Sequence, residues 1–234
     1  MRILLIILFF LGVNCKEKRE GFLIDKNNNA QAIEEPSENV NFHKNRKVDS
    51  IFNNLEELKL PTSSDFVSGL LNENEGFYEI KDVVMKNNIK FPKDLFTEVK
   101  SKKEANDFFY NITEKEFFPI FKKVNTNYTT IGSLVQYYGE NDIKGVFVIL
   151  SNFDTKGKQI DYLIIYNRFL WEVNYEYDFY IDSNFQIIID KKEENFWDDK
   201  RNDFINEDEI PETKIFKEEY LINDNGVFVC ISKK

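Results

Sequence analysis

The sequence predicts an α+β fold, with a helical N-terminal half packed on a C-terminal antiparallel β-meander of about six or seven strands. Apolar residues recur at helical spacing between residues 49 and 125, and after about residue 128 the period changes to two. Short turn sequences then separate the alternating runs, which favours sequential hairpins. Phe (23) and Tyr (11) are abundant enough to fill a core in a chain of 234 residues.

Ile51, Phe52, Leu55 and Leu58 share a helical face, and Pro61 ends that segment. Thr62-Ser63-Ser64-Asp65 is cap chemistry for a short helix carrying Phe66, Leu70 and Leu71. Ser101-Lys102-Lys103-Glu104 is a capping-box pattern before Ala105, Phe108, Phe109 and Ile112. Thr113-Glu114-Lys115-Glu116 repeats it before Phe117 and Phe118, with Pro119 in the tolerated first turn. Only Phe77–Val84 alternates like a strand, without clean turn signals around it.

Seven strands are expected beyond residue 128. They are 128–138, 143–153, 160–171, 175–182, 185–190, 214–222 and 227–232. Asp154-Thr155-Lys156-Gly157-Lys158 and Asn223-Asp224-Asn225-Gly226 are hairpin turns, and Ser183-Asn184 is a third. Val146–Leu150, Leu163–Ile165 and Ile187–Ile189 are apolar at every position, so the middle of the sheet is expected to be covered on both faces. The helices would cover one face, and sheet curvature or a second copy the other. The strand 175–182 differs, because Glu176, Asp178 and Asp182 line one of its faces and point to an edge or to water.

Ahead of this domain (49–234) the chain carries a basic residue, Arg2, and then an unbroken apolar run from Ile3 to Val13. Spanning a bilayer takes roughly 17–25 residues, so the run is too short for a transmembrane helix and fits the core of a signal peptide over residues 1–14. No A-x-A-like cleavage site follows. Leu11-Gly12-Val13-Asn14-Cys15 instead resembles the cleavage region of bacterial lipoproteins, with Gly12 and Asn14 at the places usually held by an aliphatic and a small residue. The resemblance implies that Cys15 becomes the acylated first residue. Two or more acyl chains would hold the protein on a membrane, since each buried methylene contributes about 0.8 kcal/mol. The expected location is the cell envelope, on the outer membrane or cell surface. Residues 15–48 are rich in charge and Asn and read as a tether, because such a segment buries too little surface to offset its ordering entropy.

Asp and Glu outnumber Lys and Arg by 41 to 31, giving a net charge of −10. An acidic surface of this kind excludes nucleic acid as the partner and leaves membrane contact to the anchor. The single histidine, His43, lies in the tether, so the domain has no imidazole for catalysis or for a metal. No phosphate-binding glycine loop or nucleophile elbow occurs, and no catalytic residue or cofactor is assigned. No metal site is assigned either: Asp198-Asp199-Lys200-Arg201-Asn202-Asp203 puts basic side chains where a calcium loop needs oxygens. The remaining cysteine, Cys230, has no histidine to activate it and reads as a small buried apolar side chain.

Candidate partner-binding residues are Trp171, Glu176, Asp178, Phe196 and Trp197. Trp is enriched at interaction hot spots, and Phe196-Trp197 stands in an acidic loop running from Glu193 to Glu212. The expected function is non-enzymatic: a lipid-anchored envelope protein that captures a basic protein partner. The alternatives are a carboxylate-based glycan hydrolase, prompted by Asp161, Glu172 and Asp178 beside Tyr162, Trp171 and Tyr177, and a structural lipoprotein that oligomerises.

Overall fold

The computed structural model describes residues 52–74, 77–87, 115–138 and 142–234, all within one compact unit, Lys44–Lys234. The leader, the tether, Cys15, His43 and the helix expected over 101–112 lie outside the described residues. So do residues 1–51 as a whole.

The α+β expectation is overturned. Among the described residues strands make up 62% and helices 9%, and no helical half packs on the sheet. The labelled helices are α1 (Ser64–Ser68) and α2 (Asp82–Asn87); a single further helical turn covers 52–54. The misreading has local causes. α1 ends at Ser68 with Gly69 as its C-cap, Leu70 and Leu71 lie outside the helix, and Leu71 opens strand β2 (Leu71–Asn74), paired with β3 (Phe77–Ile80). The supposed second capping box marks the start of a strand, β4 (Lys115–Val124). Pro119 is tolerated there because β4 is an edge strand with a bulge between Pro119 and Phe121. Its residues Phe117, Phe118 and Phe121 are all buried, a both-faces pattern that short helical periodicity imitates.

The remaining strands are β1 (Thr62–Ser63), β5 (Tyr128–Tyr138), β6 (Lys144–Asp154), β7 (Gln159–Leu170), β8 (Val173–Ile181), β9 (Ile187–Asn195), β10 (Trp197–Asp198), β11 (Asp203–Phe204), β12 (Glu212–Ile222) and β13 (Phe228–Lys233). They build an antiparallel sheet in the order β13-β12-β9-β8-β7-β6-β5-β4. Neighbours in sequence are neighbours in space, and the β10–β11 hairpin is inserted between β9 and β12. Consecutive residues of β5, β6 and β7 are buried, so both faces of the middle are covered. Among the described residues part of the cover is a strand: β3 lies across β5, β6 and β7, and Gln136 on β5 ties it down by accepting from Ile80 N at 3.0 Å.

β8 pairs with β7 only over Asn174–Tyr177 and Asn167–Leu170, then parts from it and takes β1 alongside Tyr180 and Ile181. The first half of β7 instead meets the start of β13, where Phe228 N donates to Asp161 Oδ2 at 2.9 Å. The sheet therefore bends back on itself.

The turns β4–β5, β6–β7, β8–β9 and β12–β13 fall at one end of the meander, here the proximal end. The chain enters the described domain there. Leu58 N donates to Lys122 O at 2.7 Å, and the Phe52 ring lies 5.2 Å from that of Phe153. The opposite, distal end carries the β7–β8 turn and the β10–β11 hairpin.

Candidate functional site

One face of the sheet is an aromatic row. Register sets Val135, Phe147, Asn167, Tyr177, Lys191 and Phe216 side by side across β5, β6, β7, β8, β9 and β12. Gly145, two residues from Phe147, lacks the side chain that would stop Tyr137 lying across it. Tyr137 thus reaches Phe169 at 5.5 Å and donates to Asn167 Oδ1 at 3.2 Å. Past Tyr177 the row becomes ionic. Tyr177 donates to Glu193 at 2.7 Å and lies 5.0 Å beneath the Lys191 ammonium. Lys191 and Lys233 both bind Glu218, at 2.7 and 2.8 Å, and Tyr220 donates to it at 2.9 Å. Burial alone would raise the Glu218 carboxyl, but the two ammoniums override it and bring the group down to about 2. Burial and then the Glu193 carboxylate hold the Tyr177 hydroxyl far above its usual range, so it remains a donor. These charges satisfy one another and brace the last two strands. Sequence reading missed the cluster, because its members are scattered over four strands with no spacing signal.

Glu176 and Asp178 lie on the other face of β8, half exposed. Asp178 binds Arg168 at 2.6 Å. Asn174 Nδ2 donates to both Glu176 (2.9 Å) and Glu194 (3.0 Å), and Lys192 stands 3.0 Å from Glu194. A hydrolase needs one such carboxyl kept protonated. Hydrogen bonds from Lys192 and then Asn174 instead lower Glu194, the opposite direction to the one a proton donor needs.

The three candidate aromatics meet at the distal end. Trp171 is in the β7–β8 turn, and Phe196 fastens the β9 end to it by donating its N–H to Glu172 O at 2.8 Å. Trp197 opens β10, and its partner across the hairpin is Phe204. The Phe204 ring stands edge-on to both Trp171 (5.5 Å) and Trp197 (5.6 Å), an arrangement that aromatic quadrupoles favour. Phe204 was not singled out from sequence, although it shares the charged loop with Phe196 and Trp197. The Trp171 indole N–H is buried and has no acceptor among the described residues. Glu176 is joined to this end through Asn174, whereas Asp178 lies further along β8.

The loop beyond is acidic but ordered. Asp198 accepts from Lys200 N at 2.8 Å and pairs with Arg201 Nε at 2.7 Å, and Arg201 reaches across to Glu209. These contacts, led by the Lys200 amide, lower the Asp198 carboxyl. Residues 198–212 carry seven carboxylates against two basic side chains, Lys200 and Arg201. Among the described residues no group of three His, Cys, Asp or Glu side chains is arranged to hold a metal ion.

No protein-family model, curated protein or solved structure matches the chain.

Proposed function

We propose that this is a lipid-anchored envelope protein whose distal end binds a basic protein. The observation that carries the reading is that Phe204, on the β10–β11 hairpin that bears Trp197 and the acidic segment 198–212, stands edge-on to Trp171 of the β7–β8 turn, to which Phe196 is bonded. Aromatic side chains supply large contact area and attract cations over their faces. The surrounding carboxylates would steer a Lys- and Arg-rich surface towards them. Arg201 fixes the loop beforehand, which lowers the ordering cost of association.

The test is retention of envelope and secreted proteins on the immobilised chain. A saturable basic partner is expected, weakening as the Debye length falls from about 10 Å at 0.1 M salt to ~3 Å at 1 M. Absence of any saturable partner would overturn the reading. Intact mass of the membrane-extracted protein tests the anchor, by reporting a chain that begins at Cys15 and carries added acyl mass.

A further inference from the structure

We propose that the proximal end of the domain seats on a lipid surface through the outer face of the β12–β13 hairpin. This rests on the anchor at Cys15 and adds a second membrane contact to it.

The outer face of β8, β9 and β12 carries ion pairs along its middle, with Ile215 and Tyr180 exposed among them. Arg168 pairs with Asp178, Lys192 with Glu194 and Lys217 with Asp190. Towards the proximal turn the same face becomes apolar. Leu221 and Val229 stand directly opposite one another, 42% and 40% exposed, flanked by Val227 and Ile231. Val124, at the end of β4, is exposed at the same end of the sheet. Strand faces turned to water ordinarily alternate with polar residues, so an apolar stretch that begins where the ion pairs stop is a surface shaped for an apolar neighbour.

The anchor and the charge distribution select a bilayer as that neighbour. Residues 16–51 link Cys15 to Phe52, and about 36 residues span at most ~130 Å. A strand of eleven residues is only ~36 Å long. The anchor could therefore reach either end of the sheet, and charge decides which faces the membrane. The distal end holds the acidic segment 198–212, which an anionic leaflet repels. The proximal end carries both signs, with Lys156 and Lys158 exposed in the β6–β7 turn and Asp224 at the tip of the β12–β13 turn. The domain thus lies with its binding hairpin pointing away from the bilayer.

The positions of Trp171 and Trp197 make this measurable, since both indoles are distal. The full-length chain, purified with its acyl chains, is reconstituted in phosphatidylethanolamine–phosphatidylglycerol vesicles whose acyl chains are brominated. The Val229→Trp chain should show added emission that is blue-shifted and lost to bromine quenching, while the unmodified chain stays unquenched. Leu221→Trp, on the neighbouring strand, should behave in the same way and covers the case in which Val229→Trp does not fold. If both variants float with the vesicles but stay unquenched, the docking is overturned and the anchor stands. If they stay unquenched and the detergent-extracted chain has the mass of a dimer, the face belongs to a second copy and the docking is again overturned. A chain that does not float overturns the docking together with the anchor.

Discussion

Glu218 shows how much one side chain is asked to hold. It is almost fully buried and grips β9 through Lys191 and β13 through Lys233. Its carboxyl lies below the ordinary value when folded, so its contribution to stability is complete above about pH 4.5 and is lost as the pH falls from there through about 2. The shift corresponds to about 3 kcal/mol. Denaturant titrations across that window should show wild-type stability declining, and Glu218→Gln should make that slope shallower. At neutral pH Glu218→Gln should itself cost about 3 kcal/mol, because it leaves two ammoniums facing a neutral amide. Nothing in the sequence marks Glu218, since Glu218-Glu219 reads as part of a solvated face. Only the register of β12 against β9 turns Glu218 inward and Glu219 outward, where Gln186 meets it.

Three hairpins at the proximal end use one device. In each, an Asx side chain accepts the amides two and four residues on: Asp154 from Lys156 and Lys158, Asp182 from Asn184 and Gln186, Asn223 from Asn225 and Val227. The fourth loop residue has positive φ in all three and is Gly157, Phe185 or Gly226. This chemistry was legible beforehand because Asx and Gly carry the turn within five residues. The helical half was not legible, because its signals were equally short but competed with tertiary pairing: Phe117, Phe118 and Phe121 bury more as an edge strand than one helical face allows. Gly157→Ala should cost only the positive-φ penalty, about 1 kcal/mol. Gly226→Ala should cost distinctly more in thermal or denaturant unfolding, since a Cβ there would come within 2.8 Å of Ile160 and 3.2 Å of Tyr128. At the distal end the β10–β11 hairpin depends on Phe204. Phe204→Ala should red-shift tryptophan emission by wetting Trp171 and Trp197, and should weaken partner binding by about 2 kcal/mol in calorimetry.

Over the whole molecule the charge is distributed unevenly, with seven carboxylates gathered in residues 198–212 at one end. Replacing Asp199, Glu207 and Asp208 by their amides should leave unfolding stability within about 0.5 kcal/mol, as exposed surface positions usually do. It should slow association with the basic partner and flatten its salt dependence, while dissociation changes little. Surface plasmon resonance at two ionic strengths separates the two rates. Composition disclosed that the chain is acidic, and the loop 193–212 disclosed where. The pairing that brings Trp171 to that loop from 25 residues earlier is a property of the meander and could not be read from either segment alone.

The order of the sheet has a consequence for a chain being made from its N-terminus. Almost every ladder joins strands that are adjacent in sequence, so ribbons can zip as they appear. The proximal turn of the last hairpin is different: Asn127 is bonded to Asp224, Asn152 to Gly226 and Asp161 to Phe228, across separations of 67 to 97 residues. These bonds work as a bolt that only the final dozen residues can throw. A nascent chain halted before residue 223 would hold most of its ribbons yet keep the seam between β7 and its distant neighbour unfastened, open to proteases until synthesis ends.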